Sequence, residues 1–123
     1  LIEPVSVKEL NQVNISEDEM AILRQGFYQV VNGNGQFNTG SAIGQGASVT
    51  ISAKTGTAET YTTTPSGEVV TAVNTNVVAY APSDNPQIAV SVVLPNLTNQ
   101  SSMTTKTIMR EIINLYQSMY PMN

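Results

Sequence analysis

The sequence predicts an α+β fold, an antiparallel three-stranded meander with helices packed on it. Two stretches, Met20 to Val31 and Ile108 to Met119, repeat apolar residues at helical spacing. Between them lie three strand-like segments with short links, an arrangement that folds back on itself as a meander. With 41% hydrophobic and 11% charged residues, the 123-residue chain has the apolar material for the core of one domain.

Leu1 to Asn14 mixes Pro4, Val5, Val7 and Leu10 with polar residues and reads as an extended lead-in, so residues 1–15 are set apart from 16–123. Ser16-Glu17-Asp18-Glu19 is a capping box, in which the Ser16 hydroxyl accepts from the Glu19 amide and the Glu19 carboxylate reaches back. Three acids in a first turn complement the helix dipole, so this cluster reads as a helix start and not as a metal site. Met20, Leu23, Phe27, Val30 and Val31 then mark one face of a helix ending near Asn32. Asn32-Gly33-Asn34-Gly35 is expected to supply positive-φ residues for the exit. The glycine-rich loop through Gly40, Gly44 and Gly46 lacks a Gly-Lys-Ser/Thr ending and precedes a strand, which does not fit a phosphate cradle.

The first strand is read from Ser48, because Val49, Ile51 and Ala53 alternate with Ser48, Thr50 and Ser52. Lys54 continues the polar phase, so its ammonium is expected on the side of the serines. Glu59 to Thr64 extends the strand toward a turn at Pro65-Ser66-Gly67-Glu68. Val69 to Ala81, apolar in both phases near its end, is expected to be a strand covered on both sides. After a turn at Pro82-Ser83-Asp84-Asn85-Pro86, Gln87 to Leu94 forms the third strand and Pro95 to Ser102 a polar connection. Ile108, Met109, Ile112, Ile113, Leu115, Tyr116 and Met119 trace a wide stripe on a closing helix stopped by Pro121, with the Met and Tyr side chains as core packing.

Composition excludes several chemistries. Net charge is −4, and the three lysines and two arginines are dispersed, so there is no basic patch for nucleic acid. The chain has no Cys and no His, which removes thiolate chemistry, a Ser-His-Asp triad, a Cys-His pair and any His-containing zinc site. No metal and no cofactor is expected. No apolar run reaches the roughly 18 residues of a membrane span. The start Leu-Ile-Glu-Pro, without Met, is expected of a piece cut from a longer chain.

A bare Lys-Thr-Gly, such as Lys54-Thr55-Gly56, also reads as a solvated lysine at a strand end followed by a glycine that eases a turn or close packing. Its context is more specific. The order of helix, glycine-rich loop, strand ending in Lys54-Thr55-Gly56-Thr57-Ala58-Glu59, two further antiparallel strands and C-terminal helix resembles the last part of a penicillin-binding transpeptidase domain. Asn74-Thr75-Asn76-Val77-Val78-Ala79-Tyr80-Ala81-Pro82, Gln87-Ile88-Ala89-Val90-Ser91-Val92-Val93 and Ile112-Ile113-Asn114-Leu115-Tyr116 resemble class B penicillin-binding proteins, within them the 2B type of Gram-positive cocci. The resemblance covers Ser16 to the last residue. It implies the C-terminal portion of a penicillin-binding protein/serine β-lactamase-like domain, completed by upstream elements.

In that family the site is built from Ser-x-x-Lys carrying the nucleophile, then Ser-x-Asn, then Lys-Thr/Ser-Gly. Lys8, Lys54 and Lys106 are preceded at three residues by Val5, Ile51 and Met103, so this chain holds no Ser-x-x-Lys. Ser83-Asp84-Asn85 follows Lys-Thr-Gly where the family's second motif precedes it, and between two prolines it is explained as a hairpin turn.

The resemblance implies a piece of a peptidoglycan D,D-transpeptidase that binds β-lactams, inactive alone for want of its nucleophile. Lys54, Thr55 and Thr57 would hold the D-Ala carboxylate of the stem peptide. Lys54 would also polarise the network around the second-motif serine, and the backbone N–H of Thr57 would stabilise the oxyanion. Gly56 would leave room for a ligand lying along the strand, to which substrate or β-lactam adds through main-chain bonds. Ala58 and Glu59 match the family string and are assigned no chemistry.

The partners implied are the stem peptide or a β-lactam and the upstream portion of the same protein. Apolar faces left uncovered without that portion point to self-association or an accompanying chain. The whole protein would be anchored in the cytoplasmic membrane by a segment not in this chain, with this part on the extracytoplasmic face. Two other readings stay open. One is a serine β-lactamase or β-lactam sensor, distinguished by how fast its acyl-enzyme hydrolyses. The other is a non-catalytic binding or scaffolding module in which Lys-Thr-Gly is incidental.

Overall fold

A computed structural model describes residues 8–99 and 101–122. The first seven residues of the expected lead-in lie outside the described residues, and residues 8–15 form neither helix nor strand.

Helix α1 spans Glu17–Asn32 and starts from the capping box read in the sequence. The Ser16 N–H donates to Glu19 Oε2 at 2.8 Å, and the Glu19 N–H donates to Ser16 Oγ at 3.3 Å. The Ser16 backbone N–H, and then its hydroxyl, hold the Glu19 carboxyl below its ordinary value. The exit takes its positive φ from the last of the four residues expected to supply it. Gly33 has φ −75°, and its N–H donates to Gln29 O at 3.0 Å, so the positive-φ residue falls two positions on, at Gly35. What Gly33 provides is clearance, since a Cβ there would lie 2.6 Å from Gln29 O.

The glycine-rich loop contains an unforeseen single turn, α2, at Ser41–Gly44. One turn is too short for a periodic signal and is not stable by its own propensity. It is held from far along the chain. Ile43 is fully buried, and Arg110 Nη1 donates to the carbonyls of Ala42 at 3.3 Å and Gln45 at 3.0 Å.

The sheet has the order β1-β2-β3 and is antiparallel throughout, with β1 at Ser52–Thr63, β2 at Val69–Ala81 and β3 at Ile88–Leu97. The first strand thus begins at Ser52 and not at Ser48. The backbone before it finds partners outside the sheet: Ser48 N–H donates to Asn114 Oδ1 at 2.8 Å, Thr50 O accepts from Ser83 N–H at 3.0 Å, and Ile51 O accepts from Asn32 Nδ2 at 2.9 Å. At the other end β3 runs through Pro95 to Leu97, into what the sequence suggests is a connection. An edge strand tolerates a residue without an N–H. The ladder accommodates it with a register shift between Val73 and Thr75, where Asn96 takes φ 58° and donates its N–H to Asn74 Oδ1 at 2.9 Å.

The register puts Ala53, Ala79 and Val90, then Thr55, Val77 and Val92, then Thr57, Thr75 and Leu94 on one face. Helix α3, Met103–Met119, covers that face with buried Met109 and Ile113, and the buried Thr75 and Thr105 hydroxyls bond to each other. The opposite face carries Ser52, Tyr80 and Ala89, then Lys54, Val78 and Ser91, then Gly56, Asn76 and Val93. Helix α1 lies over this side, its Phe27 ring meeting Tyr80 edge-on at 6.3 Å.

Coverage of the second face is incomplete. Val78 is 50% and Val93 58% exposed, so β2 is not covered on both sides along its apolar end. The stripe on α3 is likewise narrower than its sequence suggests. Met109 is buried and Tyr116 half-buried, but Ile112, Leu115 and Met119 are open, as is the following Tyr120, whose ring meets only that of Tyr116 at 5.1 Å among the described aromatic rings.

Candidate functional site

The motif strand is at the edge of the sheet. Lys54, Thr55, Gly56 and Thr57 pair inward with Val78, Val77, Asn76 and Thr75, while the outer edge of β1 carries no strand among the described residues. An unpaired edge offers main-chain donors and acceptors to an extended ligand.

Alternation sends the four residues to both faces. Lys54 is exposed on the α1 side, and its ammonium bends over to donate to Thr55 O at 2.6 Å. Its stem borders an apolar crevice of about 290 Å³ lined by Ile22, Leu23, Phe27 and Val30. The expected association with the serines holds only in strand phase. Ser48 and Thr50 lie outside the strand, and Ser52 is fully buried, its hydroxyl donating to Ser83 Oγ at 2.9 Å. Thr50 and Ser52 line a separate hollow with Arg24, Tyr28 and Ser83, whose walls do not include Lys54.

Thr55 faces the other way and brings in a residue that sequence reasoning missed. Its Oγ1 lies 2.8 Å from Thr39 Oγ1, in the loop between α1 and α2. That loop is fixed to α1: Gly40 N–H donates to Val30 O at 2.8 Å, and Asn38 Nδ2 donates to Gly33 O. No periodicity or motif marks Thr39, which is a threonine in a polar, glycine-rich loop 16 positions from its partner. Thr57 is exposed on the same strand.

Gly56 is closely packed within the sheet. It sits directly opposite Asn76, and a Cβ would meet Asn76 Oδ1 and lie 2.8 Å from Nδ2 and 2.9 Å from Cγ. The neighbour that excludes a side chain is therefore within the sheet, since directly opposed residues of one face approach closely.

Chemically, this edge presents an ammonium resting on Thr55 O, a hydroxyl already engaged on one side, and main chain that no described strand pairs, a set suited to an extended peptide with a carboxylate. Among the described residues no group of three or more His, Cys, Asp or Glu could hold a metal ion. Ser83, in the β2–β3 loop, spends its N–H on Thr50 O and its hydroxyl oxygen on Ser52, both structural bonds.

Comparison with known proteins adds a family. The penicillin binding protein transpeptidase domain matches residues 2–114. The chain is 54% identical over its whole length to penicillin-binding protein 2B of Streptococcus pneumoniae, and spans 18% of that relative. It is 36% identical over 94% of its length to penicillin-binding protein 2A of Bacillus subtilis, spanning 16% of it. The solved structure of penicillin-binding protein 2B from Streptococcus pneumoniae strain R6 superposes with a TM-score of 0.84, covering 100% of this chain and 19% of that one. A complex between penicillin-binding protein PBP2 and MreC from Helicobacter pylori matches at TM-score 0.65 and 19% identity, covering 85% of this chain and 18% of that one, a likeness of fold.

Proposed function

The chain belongs to the penicillin-binding protein transpeptidase domain family, and from that premise we propose that it supplies the Lys-Thr-Gly wall of a serine-type D,D-transpeptidase. The whole enzyme cross-links peptidoglycan stem peptides and is acylated by β-lactams. The observation that carries this reading is Lys54-Thr55-Gly56-Thr57 on the free outer edge of β1, with an ammonium and hydroxyls beside unpaired main chain.

In this reading the substrate lies along β1 and extends the sheet. Lys54, Thr55 and Thr57 hold the terminal carboxylate, and Gly56 keeps the strand close to Asn76. The nucleophilic serine comes from sequence outside this chain, which has no Ser-x-x-Lys. Its attack on the penultimate carbonyl develops an oxyanion, which the Thr57 N–H stabilises. Residues 16–123 form the C-terminal portion of the domain, and residues 1–15 are the segment that enters it, within the family match from residue 2.

The open apolar positions on the second sheet face and on α3 support packing by the rest of the protein. The isolated chain is then prone to self-association. No helix among the described residues is long and apolar enough to cross a membrane, and anchoring on the extracytoplasmic side falls to a segment other than these.

The test is covalent labelling with a fluorescent penicillin. The full-length protein is expected to become labelled and this chain alone not. Lys54→Ala in the full-length protein should slow labelling by about 100-fold or more, the scale for losing a group that stabilises developing charge. Labelling of the isolated chain, or an unaffected Lys54→Ala, would overturn the assignment.

A further inference from the structure

We propose that Thr39 is a positioning residue that sets the direction in which the Thr55 hydroxyl donates. The inference rests on the carboxylate role given to Thr55 above. A threonine hydroxyl has one proton to give and two lone pairs to receive with. The 2.8 Å bond between the two Oγ1 atoms can therefore run either way. If Thr55 donates to Thr39, it has no proton left for a ligand. If Thr39 donates, the Thr55 proton is free to point outward, and a hydroxyl that accepts while it donates is the better donor. A carboxylate only accepts, so its arrival selects the second direction.

The placement of Thr39 suits this task. Its loop is tied to the end of α1 through Gly40 N–H to Val30 O, and the Thr39 N–H is engaged within the loop, donating to Phe37 O at 2.9 Å. The hydroxyl is thus presented to the motif strand by a different element, and the Thr39–Thr55 pair is in place before any ligand binds. What a carboxylate then changes is the sense of one hydrogen bond, a turn of two hydroxyl protons that moves no heavy atom.

The experiment uses the full-length protein and compares Thr39→Val, which keeps the shape and removes the hydroxyl, with Thr39→Ser, which keeps the hydroxyl. Acylation is measured with a penicillin bearing its free carboxylate and with the methyl ester of the same compound. Thr39→Val should lower the second-order acylation rate of the acid about five- to ten-fold, the factor expected for one hydroxyl hydrogen bond, and leave the ester unchanged. Thr39→Ser should restore the acid rate. An equal loss on acid and ester, which is what loop support alone would give, overturns the proposal. Thr55→Val separates the two levels. If it leaves acid-over-ester discrimination intact, the carboxylate role of Thr55 fails and the aiming of it fails too. If it removes that discrimination while Thr39→Val does not, only Thr39 falls.

Discussion

Gly56→Ala tests which neighbour makes the motif glycine necessary. Gly56 has no left-handed backbone, so alanine fits its main-chain conformation. The added Cβ lies 2.8 Å from Asn76 Nδ2 and 2.9 Å from Cγ, where ordinary contact needs 3.4 Å or more. Asn76 must leave its rotamer or β1 must shift outward, an overpacking cost of about 1–3 kcal/mol. Against it stands a gain of about 0.4–1 kcal/mol from the stiffer unfolded chain. The steric term wins, so a lowered denaturation midpoint is expected for Gly56→Ala in the full-length protein, with slower penicillin acylation as the strand is displaced. In an Asn76→Ala background the clash is gone, and the same substitution should become neutral or slightly stabilising and recover acylation. An equal stability cost in both backgrounds would refute the reasoning. Restored stability with acylation still lost would instead favour obstruction of the ligand.

Other perturbations probe the scaffold under the site. Thr75→Val leaves the buried Thr105 hydroxyl unpaired and should cost about 1–3 kcal/mol by denaturant titration, while the double variant with Thr105→Val should recover most of it. Glu19 has its carboxyl held below the ordinary value by the Ser16 N–H and hydroxyl, so its contribution is present above the unfolded value of 4.5 and is lost as pH falls through the lower folded value. Glu19→Gln should accordingly weaken α1 at neutral pH, with the difference closing in acid. A difference independent of pH in denaturation experiments would contradict the capping account.

Local chemistry wrote much of this architecture into the chain. Ser16 and Glu19 are three residues apart and cap α1 with each other. Val69 to Ala81 is one strand from end to end, as β-branched residues between two turn sequences predict. The Lys54 motif falls on a strand because alternation around Ala53 requires only neighbours in sequence. Signals of this kind depend on residues within a few positions of one another, and for that reason they survive without a structure.

The remainder depended on partners distant in sequence. Whether Ser48 joined a strand was settled by Asn114, 66 positions away, and α2 exists because Arg110 and the buried Ile43 hold one turn that propensity would not. Continuation of β3 past Pro95 required an edge position and a register shift that only pairing with Val73 reveals. Thr39 beside Thr55, and Asn76 against Gly56, came from packing between elements, as did the open state of Val78 and Leu115. Periodicity says which residues can be buried, but coverage is a property of whatever packs against them. The strand carrying Lys54 was therefore legible from its neighbours, and the Thr39 hydroxyl that lies against it was not.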